Sequence, residues 1–435
     1  MTATAPAPPP TQARPWDPPT QSTQVTPAGP QTVAPRREAT SAQWVMRISL
    51  VSVVVTLLVA LLGFAAAQNQ AAGMDRASAG ADRVLSVMAV RSALLEADGA
   101  ATNAFLVGGL EPQDRREVYD AAVAEAAALL TELARGAEAD ADLIAGLNVD
   151  LATYTSLVEA ARVNNRQGFP VGAAYLDQAS TLVRTDMLTE LDEVLVIAAD
   201  DAAADFSTTN RAIVVVVVLV VAFVVLLACQ IRLAAMTHRR LNPGLAIATV
   251  LMIVAFVGGG LTAASAATSA ASTRTDVYRP TLAIAQAGVL AAEARTLESF
   301  TLIKRGSGQA YEEQFTERTT EAMTLLQAQG RDDLADLLQT WLDEHAEIRA
   351  LDDGGDWDDA VDLATTDAED GPSAAYAAFL EANDAAVAQG ASEVADALHS
   401  DASAARLASW VLAVTGVAAA FACWRGTAAR REEYR

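Results

Sequence analysis

The 435-residue chain carries 54 Asp and Glu against 30 Lys and Arg, a net charge of −24, yet 52% of it is hydrophobic. With a mean hydropathy of +0.23, charge and apolarity must be segregated along the sequence. The acidic balance argues against nucleic acid as a partner, two cysteines (Cys229 and Cys423) exclude a disulfide-rich scaffold, and three histidines leave little for metal or acid–base chemistry.

Residues 1–43 are rich in Pro, Thr, Gln and Ala, including Pro8-Pro9-Pro10 and Pro15-Trp16-Asp17-Pro18-Pro19, and read as a disordered tail of polyproline character. An apolar run follows at 44–67. It matches the ~20 residues a helix needs to cross ~30 Å of hydrocarbon. Too much chain precedes it for a cleaved signal peptide. Residues 68–211 are rich in Ala, Leu and acids, with apolar residues recurring every three or four positions. They predict helices near 68–107, 113–135, 140–166 and 171–211, broken at Gly108-Gly109, Gly136 and Gly168 to Pro170. A second apolar run, at 212–231, is almost continuous Val and Leu. A short connection (232–243) leads to a third run at 244–264, which contains Gly258-Gly259-Gly260. The second long helical segment, 265–406, has breaks at Gly306 to Gly308, Gly330, Gly354-Gly355 and Gly371-Pro372. A fourth run (407–424) and a tail (425–435) follow.

The expected fold is therefore an all-α membrane protein with four transmembrane helices and two exported up-down four-helix bundles. Orientation follows from the arginines. Arg14, Arg36, Arg37 and Arg47 precede or begin the first span, Arg232, Arg239 and Arg240 join spans two and three, and Arg425, Arg430, Arg431 and Arg435 follow span four. The positive-inside rule puts all three segments, and both termini, in the cytoplasm of a multi-pass plasma-membrane protein. The segments left outside are acidic, with 23 acids and 10 bases in 68–211 and 27 acids and 9 bases in 265–407.

The two outer segments read as an internal duplication. Glu117, Tyr119, Glu125, Ala126, Leu129 and Leu130 match Glu313, Phe315, Glu321, Ala322, Leu325 and Leu326 at one constant separation. Leu151, Thr153, Tyr154, Arg162, Gly168, Ala173 and Leu176 match Leu338, Thr340, Trp341, Arg349, Gly355, Ala360 and Leu363. Span–bundle–span, twice, gives a helix from Trp44 to Val107 of roughly 95 Å at 1.5 Å per residue, joining the outer tip to the cytoplasmic face.

No catalytic signature is present: HExxH, GxSxG, a phosphate loop and CxxC are all missing, and no cofactor is expected. The spans lack a central acid or Lys, which argues against coupled transport. His345 and His399 stand apart from each other and from any thiol. The stretch Asp352 to Asp359 lacks the order of an EF-hand and reads as a helix-capping loop. Two candidate features remain. Arg162 and Arg349, at matching third-helix positions, have the fork geometry that grips a carboxylate, although surface pairing with acids competes for them. Leu110, Phe169 and Trp357 sit in the tip connections, where they either dock a partner or tuck back to close the bundle.

Exported four-helix bundles flanked by spans resemble the ectodomains of chemoreceptors and sensor kinases. The whole layout is similar to the GlnX-type four-span membrane proteins of actinobacteria, over roughly residues 44–424. That resemblance implies an exported amino-acid-binding lipoprotein and a cytosolic serine/threonine kinase as partners, and transfers no functional residue. The expected function is a non-enzymatic transmembrane sensor, with a scaffold or transporter accessory subunit as the alternative and a homodimer compatible with either.

Overall fold

The computed structural model describes residues 41–108, 111–135, 140–206, 211–237 and 242–432. Among them there is no strand. Helix α1 (Ser41–Val107) is a single element of 67 residues; α2 (Gln113–Ala134), α3 (Ala141–Arg166), α4 (Val171–Thr181) and α5 (Leu188–Phe206) follow, the last two joined through a π-helical turn at Leu182–Met187. Then come α6 (Arg211–Thr237) and α7 (Pro243–Ser272), the latter passing through a second π turn, Thr273–Tyr278, into α8 (Arg279–Ile303). The chain ends with α9 (Gln309–Ala328), α10 (Asp332–Gly354), the short α11 (Trp357–Ala364) and α12 (Pro372–Glu432).

Glycine sets several of these ends. Gly108, Gly168, Gly306, Gly330 and Gly355 all have positive φ, the left-handed conformation that stops a helix at no steric cost. Gly258 to Gly260 do not break α7. Of the three, only Gly259 lies against a neighbour, Leu412 of α12.

The outer half of α1 packs with α2, α3 and α4–α5 around Leu94, Leu130, Leu147, Tyr154, Leu176 and Met187. Helices α8, α9, α10 and the outer half of α12 enclose Leu297, Phe315, Leu326, Leu338, Trp341 and Phe379. Residues matched in sequence occupy like places. Tyr119 and Phe315, Leu130 and Leu326, and Tyr154 and Trp341 are all buried, while Gly168 and Gly355 end their helices alike.

The two bundles share one interior. Ala285, Val289, Ala292 and Phe300 of α8 belong to the core of the first bundle. Helices α1 and α8 run parallel and level: Gly99 lies against Arg295 and Thr296, and Leu106 clusters with Leu302. From Ala287 to Leu302 almost every α8 residue is buried. Its run of Ala, Gly, Ser and Thr makes this possible, because small side chains let helices approach on every face.

At the opposite end lies an apolar band. Among the described residues three helices are long and apolar enough to cross a membrane, within Gln43–Val107, Pro243–Ile303 and Pro372–Ala428. The expected second span appears there only as a shorter apolar stretch, Val220–Ala235. All four elements meet in one cluster containing Val45, Leu226, Leu245 and Cys423. Their outer faces expose Leu50, Leu61, Val224, Val254, Leu261, Val414 and Val417, a surface suited to hydrocarbon rather than water. Helix α12 runs antiparallel to α1 throughout. Ser49 hydrogen-bonds Thr427 at 2.6 Å, Phe64 meets Trp410 edge-on at 5.3 Å, Gln68 donates to Ser409 at 3.1 Å, and Asp75 pairs with Arg406.

Candidate functional site: a cationic cleft at the distal tip

Of the residues singled out in the sequence, Arg36, Arg37, Arg239, Arg240 and Leu110 lie outside the described residues. Arg430 and Arg431 fall on the last turns of α12, where side chains are not described. Phe169 is 52% exposed, beyond the end of α3. Trp357 is tucked back instead: its indole Nε1 donates to the Leu302 carbonyl at 3.0 Å, and Arg305 stacks over its ring at 3.6 Å. It thus closes the end of the second bundle.

Arg162 lines a cleft of about 230 Å³ at the tip of the first bundle, the end remote from the apolar band. Ala101, Ala104 and Phe105 of α1 form one wall. Glu111 and Arg116 come from the start of α2, and Asn165 and Arg166 from the end of α3. The α3 side chains reach the cleft because Arg162, Asn165 and Arg166 are spaced three and four apart, on one helical face. Gly172 allows the start of α4 to pass close to the Asn165 backbone and the Phe105 ring.

Three guanidinium groups therefore gather in a module that is otherwise strongly acidic. The Arg162 side chain is only 9% exposed and is held at 2.9 Å by both Glu111 and Glu159. Its Cζ lies 4.1 Å from the Tyr119 ring centroid, a cation–π contact that fixes its orientation. Its Nε hydrogen is buried and has no acceptor. Arg116 pairs with Glu159 at 2.7 Å and approaches Glu111 at 4.0 Å. Arg166 is exposed and has no ion-pair partner among the described residues.

Arg349 occupies the matching place in the second bundle, with different surroundings. Asp352 and Asp353 hold it at 2.6 Å each and Glu312 at 3.4 Å. Three and four residues after Arg349 stand two aspartates; three and four after Arg162 stand Asn165 and Arg166. Both bundles pair the arginine with their own acids, but the residues three and four positions on are acidic only in the second.

Sequence reasoning set His345 aside, yet it centres a buried ionic network. Its Nδ1 contacts Glu298 at 3.0 Å, its Nε2 contacts Glu312 at 3.2 Å, and Phe315 stacks on the ring at 3.7 Å. Burial opposes a charge on this imidazole, but hydrogen bonds that it donates to Glu298 and Glu312, together with their charges, outweigh it and lift the pKa to about 9. Burial likewise opposes ionisation of Glu298, and Arg295 and His345 overcome it, leaving that carboxyl below its usual range. The two shifts favour opposite charges on His345 and Glu298, side by side in the interior. Arg295 ties it to Ser373 at 2.9 Å, at the start of α12.

A second buried group lies between the bundles. Asp98 of α1 accepts from Ser180 at 2.7 Å through one oxygen, and its other oxygen is buried without a partner. The hydroxyls of Tyr154 and Thr296 lie close enough to act on this carboxyl but outside strict hydrogen-bond geometry. Burial is the main cause that pushes the Asp98 pKa up to about 6, against the pull of Ser180, Arg184, Thr296 and Tyr154. Two further arginines of the first bundle are structural: Arg83 forks onto Asp140 at 2.8 Å and Arg91 pairs with Asp192.

Residues 73–207 match the family model of the actinobacterial sensor domain. That stretch is the first bundle, cleft included. The match supports an actinobacterial sensor protein. No curated protein and no solved structure matches the chain.

Proposed function

We propose that this protein is a non-enzymatic transmembrane sensor with four spans, cytoplasmic termini and two exported, duplicated bundles. A solute outside the cell, amino-acid related or carried by an exported binding lipoprotein, is detected at the distal tip. The signal passes to a cytosolic partner such as a serine/threonine kinase. One observation carries the reading: α1 runs unbroken from Ser41, at the foot of the apolar band, to the Ala101, Ala104 and Phe105 wall of the cleft. A change at the cleft displaces the top of a helix whose base is some 100 Å away at 1.5 Å per residue. Packed helices have discrete arrangements rather than a continuum, so a small shift is passed on rather than absorbed. The sensor-domain match at 73–207 points the same way.

Deleting residues 1–40 and the tail beyond Arg425 tests the reading. The truncated chain is expected to insert normally but to lose its cytosolic partner, read by pull-down from solubilised membranes with identification of bound proteins. Retention of the same partners by the truncated chain would contradict it and favour a scaffold.

A further inference from the structure

The contrast between the two tips identifies the chemistry of the first. Around Arg349 the second bundle supplies three carboxylates of its own, Asp352, Asp353 and Glu312. At the matching positions around Arg162 the first bundle has Asn165, Arg166 and Arg116, and its own acids Glu111 and Glu159 reach Arg162 from other positions. The cleft lies at the first tip, among these basic residues. We propose that this cleft binds a small solute bearing a carboxylate or phosphate group, and that the acids around Arg349 are a built-in counterpart of that ligand.

The proposal rests on the sensor reading and specifies what is sensed. Arg162, already held by Glu111 and Glu159, keeps a buried Nε hydrogen without an acceptor, and the Arg166 guanidinium has no partner among the described residues. Both line the same cleft, beside the Asn165 side chain. An oxyanion accepts such paired donors bidentately. Glu111 partly fills the role already. It lies in the connection before α2, its side chain is only 17% exposed, and its carboxylate sits between Arg162 and Arg116. It is a tethered stand-in that an incoming anion displaces. Phe105 and Ala104 supply an apolar wall, so the cleft accommodates a carbon skeleton as well as the charged group.

Calorimetric titration of the full chain in lipid nanodiscs tests this, with sodium succinate and sodium phosphate as probes at constant ionic strength and sodium chloride as the reference. Saturable binding of at least one probe is expected. Arg166→Ala, a change at an exposed side chain, is expected to weaken it about tenfold, the loss of one charge-assisted contact. Glu111→Gln is expected to tighten it several-fold, and Arg349→Ala to leave it unchanged. Succinate binding alone assigns a carboxylate ligand, and phosphate binding alone assigns a phosphorylated one. No saturable binding of either probe, or binding that Arg166→Ala leaves intact, overturns the proposal. Partner capture by the unliganded chain is read separately, so failure here is distinguishable from failure of the sensor reading.

Discussion

Asp98 is the residue most out of keeping with its surroundings, a carboxyl buried between α1, α3, α4 and α8 with one oxygen unpaired. Its native pKa of about 6 lies above the ordinary 3.8. Between those values the folded chain holds a proton that the unfolded chain has released, so this group's contribution to stability falls as pH rises from about 4 to about 6. Asp98→Asn, which keeps the shape and cannot ionise, is expected to stabilise the protein at pH 7.5 by at most about 3 kcal/mol, two pKa units' worth. The gain should vanish toward pH 4. Thermal unfolding of both forms across that range measures the difference, and an Asn variant less stable at pH 7.5 would refute the assignment. None of this was legible in the sequence. An acid spaced three or four from apolar neighbours looks the same whether its helix meets solvent or a second bundle. His345 was hidden for the same reason: its partners Glu298 and Glu312 come from α8 and α9, and no local spacing joins them. Arg162 was legible because it recurs as Arg349, but its role depends on Glu111, Arg116 and Arg166, which converge only in three dimensions.

Among the elements, helix limits were the most legible feature, because glycines with positive φ mark them. The expected breaks at Gly168, Gly306, Gly330 and Gly355 coincide with the ends of α3, α8, α9 and α10. The two π turns left no such mark, since each preserves helical composition and shifts only the register. Nor did the sequence distinguish which small residues bring helices together. Gly416 of α12 lies directly against Ala60 of α1, leaving no space for a side chain, whereas Gly260 of α7 faces open space. Gly416→Leu is expected to cost about 1–3 kcal/mol through forced separation of α1 and α12. Gly260→Leu should be close to neutral. Thermal stability in the same detergent compares the two; equal effects would mean that α1 and α12 do not pack as described.

At the level of the whole molecule, the layout suggested two separate bundles, each on its own pair of spans. The structure instead merges their cores through α1 and α8, with α12 antiparallel to α1 from Ser49–Thr427 to Asp75–Arg406. The sequence concealed the merger because α8 reads as an ordinary Ala-rich helix. Only its burial on all faces reveals that it is central. The arrangement implies that a change at the first tip is felt by α1, α8 and α12 together. The proposed sensor requires that it reach the far ends of α1 and α12. Spin labels at Trp44→Cys and Trp424→Cys, exposed positions on those helices, read this directly once Cys229 and Cys423 are replaced by Ala. Pulsed electron–electron double resonance in nanodiscs, with and without a saturating anion, should show a displaced distance distribution, on the order of the 1–2 Å of a helix shift. The displacement should disappear in Arg166→Ala. An unchanged distribution, with the anion demonstrably bound, would contradict coupling between the cleft and the far ends of α1 and α12.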